Sequence, residues 1–212
     1  MVTEDGIIDT LDGDGLRFGP IGDAAIHLCI DMQELFARET PWHVPWAHRT
    51  APSIRHLVRH RPERTVFTRF LPPERPDDMP GSWRRFYTRW AEMTRGAIEP
   101  ALLELVPMLA EFVPPASVFD KHGYSAFTAP DLGRRLREGG VDTLIVTGGE
   151  TDICVWATVI GAIDRGYRVV LAADGVCSTS DATHDSLLHL CRNRFSQQIE
   201  VAWIDQIIDA WR

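Results

Sequence analysis

Three side chains in this sequence could do chemistry by type and position: Cys154, Asp31 and Lys121. Cys154 stands in the string TGGETDICV, in the opening turn of an expected helix, just after a strand and a glycine pair. A helix N-terminus offers free N–H groups and a partial positive charge, and both favour thiolate over thiol. A cysteine in this position is a candidate nucleophile, the alternative being a small buried core residue. Cys29 inside a strand, Cys177 in a loop and Cys191 late in a helix lack that setting and read as structural. Asp31 closes the first strand, in CIDMQELF, as either a general base or a cap. Lys121 closes the third strand, in VFDKHGYSAF. A lone lysine is usually solvated surface, but one directed into a cleft would hold a nearby carboxylate ionised. Each signal is weak by itself; an acid, a cation and a thiol arriving together would suit nucleophilic attack on a carbonyl carbon.

Apolar runs and helical patterns must bring these three groups together. Strands are expected at 24–30, 64–68, 116–120, 143–148, 167–174 and 199–203. Helices are expected at 51–61, 83–94, 129–140, 151–166, 180–195 and 204–211, and the proline-rich stretch 71–82 reads as an irregular loop. The run TLIVTG has the continuous apolar character of a strand buried on both faces. Alternation of strand and helix argues for an α/β fold: a three-layer α-β-α arrangement around an open, mainly parallel sheet. Sheets of this kind bind ligands beyond the carboxyl ends of their strands. Asp31, Lys121 and the turn 148–154 all fall at those ends.

Composition bounds the remaining classes. A chain of 212 residues suits one domain, 1–212, in which residues 1–20 read as a mobile arm or edge extension. A formal charge of -8 with no basic stripe argues against nucleic acid as a partner. No apolar run is long enough for a membrane span, and the acidic start does not resemble a secretory leader, so a cytoplasmic location is expected. The four cysteines form no CxxC pair, and no metal or cofactor is expected. His56 and His60, at i and i+4, have chelate spacing, but their arginine-rich helix reads as a solvated face.

The strings CIDMQELF, DKHGYSAF and ETDICV, in that order, resemble the isochorismatase-like cysteine hydrolases, which include nicotinamidases and carbamoylsarcosine amidases. The resemblance runs from about residue 24 to residue 203 and implies a Rossmann-like sheet and a triad of Asp31, Lys121 and Cys154. It also implies a cis peptide between Gly149 and Glu150, aiming the Glu150 N–H beside that of Cys154 as an oxyanion hole. Phe36 matches a family position that packs on substrate, Tyr124 lies in the YSAF string, and Ile153 would add an apolar wall. Arg69 could hold a substrate carboxylate. Trp83, like Trp42, Trp46 and Trp90, sits in a loop or cap region as a specificity residue or as core or interface. The metal-binding Asp-x-His segment of nicotinamidases has no counterpart in FTRFLPPERP. What the resemblance implies is a hydrolase of a small amide, ureide or carbamoyl compound through a thioester, assembled as a homodimer or homotetramer. A vinyl-ether hydrolase that does not use the cysteine, and a non-catalytic binding protein on the same fold, are the rival readings.

Overall fold

A computed structural model describes residues 16–212. Six strands form one sheet: β1 (Ala25–Ile30), β2 (Thr65–Phe70), β3 (Ser117–Lys121), β4 (Thr143–Gly149), β5 (Arg168–Cys177) and β6 (Ile199–Ala202). Their order across the sheet is β3-β2-β1-β4-β5-β6, and every pairing is parallel. The α/β class and the open sheet are as the alternation of patterns requires. The order reverses between β1 and β4, which opens the crevice where such sheets bind ligands.

Alternation along the strands sends side chains to two cores. Leu28, Val66, Leu144, Val146, Val169 and Leu171 face one layer. That layer contains α5 (Leu132–Glu138), α6 (Trp156–Ile163) and α7 (Asp181–Arg194), which follow α1 (Glu34–Ala37), α2 (Ala47–His60), α3 (Gly81–Arg89) and α4 (Pro107–Ala110) in chain order. Cys29, Phe67, Ile145 and Val170 face the other side, where α2, α4 and the final helix α8 (Ile204–Ala210) pack.

Differences from the expected elements are local. The helix expected at 83–94 is divided: α3 ends at Arg89, Trp90 leaves helical geometry, and a short 3-10 turn follows over Ala91–Met93. The helix expected from residue 151 begins as a wider turn, in which Glu150 O accepts from both Ile153 N and Val155 N, and becomes regular at Trp156. Wide π-type turns concentrate at functional sites. Of the expected N-terminal arm, residues 1–15 lie outside the described residues. Its described part is tied to the sheet edge: Arg17 donates to Ile199 O and Phe18 N to Glu200, and just after it Ile21 N donates to Ala210 O.

Candidate active site

β1 delivers Asp31 to the crevice in an unusual backbone state, with φ of 51°. Positive φ is uncommon outside glycine, though Asp tolerates it better than most residues, and such positions cluster at functional sites. The neighbouring strand must come close to permit this. A Cβ on Gly148, itself at φ +107°, would sit 2.0 Å from Ile30 O, so β4 can pass the end of β1 only as glycine.

The carboxylate of Asp31 is fully buried and held from two sides. Thr68 Oγ1 donates to Oδ1 at 2.7 Å, while the Asp31 N–H donates back to that hydroxyl at 3.2 Å. Lys121 Nζ lies 2.7 Å from Oδ2, with both side chains shut off from solvent. The pair is close, but Oδ2 receives no well-aligned hydrogen bond and remains an open acceptor. Lys121 donates instead to the carbonyls of Gly123 and Tyr124, each at 2.9 Å, and sits 5.0 Å above the Phe70 ring. Burial opposes the Lys121 charge, but Asp31 and Cys154 together outweigh it and hold its pKa above the ordinary range.

The Cys154 thiol completes the group. It is 7% exposed and within hydrogen-bond reach of Asp31. Burial pushes its pKa well up, Lys121 pulls it down, and Asp31 adds to the rise. The pull of a helix start toward thiolate is therefore outweighed, and the resting group is a thiol. Behind it the turn is braced by the end of β5 and the start of α7. Thr179 donates to Glu150 through N at 2.9 Å and Oγ1 at 2.6 Å, and Ser178 donates to Asp152 at 2.6 Å. Thr151 and His184 share a 2.9 Å hydrogen bond. The Gly149–Glu150 peptide is cis, as the resemblance implied.

A cavity of about 250 Å³ opens on the thiol, walled by Phe36, Trp42, Phe70, Phe86, Trp90 and Tyr124. Ile153, His43 and the rim residue Glu150 also contribute. Three of the five expected substrate contacts, Phe36, Tyr124 and Ile153, are thus at the cavity. Trp83 is not: it stands one layer back, its ring 4.8 Å from that of Tyr124. Arg69 is a clear correction. It lies inside β2, one residue before Phe70, so its side chain leaves the opposite face of the strand. There it binds Asp120 in bidentate fashion, at 2.7 and 3.1 Å, and Glu104 at 2.9 Å. A larger cleft of about 480 Å³ lies between α2 and α7, touched by Arg49, Cys177 and His184, but by none of Asp31, Lys121 or Cys154.

Several residues of the site carried no sequence signal of their own. Thr68 is one polar residue on an apolar strand. Gln33, fully buried, clamps the end of β2 by accepting from Phe70 N at 2.6 Å and donating to Phe70 O at 3.2 Å and Leu103 O at 2.8 Å. Trp42, by contrast, was a candidate from sequence, and it is the hub of the aromatic wall, with ring centroids of Phe36, Phe70, Phe86, Tyr87 and Trp90 all within 6.4 Å. Tyr87 is fully buried in that wall, and its hydroxyl has no hydrogen-bond partner. Leaving a buried hydroxyl unpaired costs about 1–3 kcal/mol. Among the described residues, no three His, Cys, Asp or Glu side chains are grouped to hold a metal. His56 faces Asp205 and His60 meets Trp211 O, so the two do not converge.

Among known proteins, the fold is matched by a cysteine hydrolase from Pseudomonas syringae pv. phaseolicola, with a TM-score of 0.76, 21% identity, and coverage of 94% of this chain and 98% of that one. In sequence, the chain is similar to an uncharacterized isochorismatase family protein of Bacillus subtilis, 35% identical over 37% of this chain and 45% of the relative. It is also similar to a maleamate amidohydrolase of Pseudomonas putida, 30% identical over 57% of this chain and 54% of the relative. The chain spans about half the length of the curated relatives it matches. The family profile described as the Isochorismatase domain matches residues 25–202. That span contains the whole sheet and every side chain of the site, and the chain belongs to the isochorismatase family.

Proposed function

We propose that the chain is a cysteine-dependent hydrolase of a small amide, ureide or carbamoyl compound, with Cys154 as nucleophile, Asp31 as general base and acid, and Lys121 as the cation paired with the Asp31 carboxylate. The observation that carries this reading is the buried Asp31–Lys121 pair with a neutral thiol in reach of its carboxylate, opening on a cavity of small-molecule size. The similarity to a maleamate amidohydrolase supports amide chemistry over other hydrolyses.

Asp31 accepts the thiol proton as sulfur attacks the carbonyl carbon. Because the thiol is neutral at rest, proton transfer and attack belong to the same event. Backbone N–H groups of Glu150 and Cys154 receive the developing oxyanion, donors of a kind worth about 2.7–4 kcal/mol each to the transition state. The tetrahedral intermediate collapses, the C–N bond breaks, and Asp31 returns the proton to the departing ammonia or amine. Water then enters; Asp31 takes its proton, hydroxide attacks the thioester, and the acid leaves as the thiol is restored. Lys121 stays charged throughout, offsetting the negative charge that moves between carboxylate, sulfur and oxygen.

The test is Cys154→Ala, assayed by ammonia release over a panel of small amides and ureides. Turnover by the wild type, with at least a thousandfold loss in the variant at unchanged circular dichroism, is the expected outcome; loss of this size follows removal of a nucleophile that forms the covalent intermediate. Substantial residual turnover would reject the covalent route and favour an Asp31-centred hydrolase in which the cysteine is incidental.

A further inference from the structure

We propose that the thiol cavity selects a small amide whose non-reacting end carries a positive charge, an alkylammonium group held between the Glu150 carboxylate and the aromatic rings of the wall. The inference rests on the amide-hydrolase reading above and deepens it by naming the class of substrate. Its starting point is a charge without a counter-charge. Glu150 lines the cavity, and the hydrogen bonds it accepts from Thr179 N and Oγ1 both end on Oε2. Such donors solvate a carboxylate but bring no positive charge. Among the described residues, no lysine, arginine or histidine forms an ion pair with Glu150.

That charge stands where it hinders the chemistry. Burial is the main force that raises the Cys154 pKa, and the Asp31 and Glu150 carboxylates add to the rise, so Glu150 is within electrostatic reach of the sulfur. The Glu150 N–H is also one of the two donors assigned to the oxyanion. A bare carboxylate beside these atoms opposes the negative charge that grows on sulfur and oxygen during attack. Lys121, the chain's one lysine, is already matched by Asp31 at 2.7 Å. A cation that arrives with the substrate cancels the Glu150 charge, and it gains most in the transition state, where the opposed charge is largest.

The walls favour the same group. Lys121 sits 5.0 Å above the Phe70 ring and Arg89 5.4 Å above that of Trp90. The other four rings of the wall, Phe36, Trp42, Phe86 and Tyr124, have no cation over them among the described residues. Aromatic faces attract alkylammonium ions, more strongly where water is excluded. No lysine or arginine lines the cavity, and its one basic side chain is the His43 imidazole. Arg69 is bound to Asp120 and Glu104. A substrate carboxylate would thus meet Glu150 with no arginine or lysine to offset it.

The experiment compares three amides of similar length: butanamide bearing a terminal trimethylammonium group, its uncharged isostere with tert-butyl in that place, and glutaramate as the anion. Wild type, Glu150→Gln and Phe86→Leu are assayed for kcat/KM at pH 8, where ordinary imidazoles are uncharged. Cys154→Ala, with and without Glu150→Gln, is titrated with the same amides by calorimetry. In the wild type the cationic amide is expected to exceed its isostere by on the order of tenfold or more, with glutaramate poorest. The ratio of cationic to uncharged amide is expected to collapse in Glu150→Gln and to narrow in Phe86→Leu. The ratio compares two substrates on one preparation, so a general loss of activity does not move it. If Glu150→Gln is inactive towards all three, the Phe86→Leu ratio decides. No preference in the wild type, or a ratio unmoved by the variants, would overturn the assignment while leaving amide hydrolysis standing. Glu150-dependent binding of the cationic amide without wild-type turnover would support the cation site and reject the hydrolase reading; neither binding nor turnover rejects both.

Discussion

The protonation state of Cys154 is set by opposed neighbours. Burial and the Asp31 carboxylate favour the thiol, Lys121 favours the thiolate, and the first two prevail. The turn that carries the residue is wider than an α-helical one, and regular helix begins only at Trp156. The ordinary gain of a cysteine at a helix start is therefore outweighed by its enclosure. The consequence is measurable. With the pKa raised, the thiolate fraction is still growing at pH 9, so alkylation of Cys154 by iodoacetamide should climb roughly tenfold per pH unit between pH 7 and 9. The rate is followed at the Cys154 peptide by mass spectrometry, because Cys29, Cys177 and Cys191 are also buried, with their pKa values pushed up to about 12. A plateau near pH 7 would instead mean a resting thiolate paired with Lys121, and the coupled proton transfer described above would fail.

At the scale of elements, strand register decides which charge reaches the crevice. Phe70 pairs with Lys121 and Arg69 with Asp120 across β2 and β3, and a period of two sends the pairs to opposite faces. Lys121 and Thr68 thereby meet Asp31, while Arg69 is committed to a second ion pair outside the cavity. The same strands bury His27, whose ring contacts Thr147 at 2.7 Å and Thr65 at 3.3 Å. Burial lowers its pKa from the ordinary 6.5 to about 3. Below pH 6.5 the unfolded chain takes up a proton that the folded chain refuses, so stability falls with acidification between about pH 6.5 and 3. Through this group alone the protein should lose about 2 kcal/mol on going from pH 7 to pH 5. Urea unfolding at the two pH values checks it, with His27→Gln expected to show a smaller loss and an unchanged acid slope counting against the assignment.

Across the whole molecule, the sheet is closed at its far side by contacts between segments distant in sequence. Ile21 bridges to Trp211, Arg212 N donates to Ile21 O, and the Trp211 ring is buried between α8 and the aliphatic side chains of the β1–β4–β5 face. Trp211→Ala should lower stability by roughly 3–5 kcal/mol, as large-to-small core changes do, and leave KM unaltered because the residue lines no part of the thiol cavity. Denaturant unfolding and steady-state kinetics on the same preparation test both halves of that statement. The sequence alone determined the strand–helix alternation, the parallel sheet and the arrival of Asp31, Lys121 and the 148–154 turn at one edge, because these follow from local patterning and from where each strand stops. It could not determine which face Arg69 takes, that Trp83 stands behind Tyr124, that Trp42 gathers five rings, or that Tyr87 keeps an unpaired hydroxyl. Those depend on register and on contacts between segments tens of residues apart. Nor could local context set the charge on Cys154: a position in a turn specifies its nearby dipoles, whereas burial and the Asp31–Lys121 pair, which tip the balance, exist only once the strands are side by side.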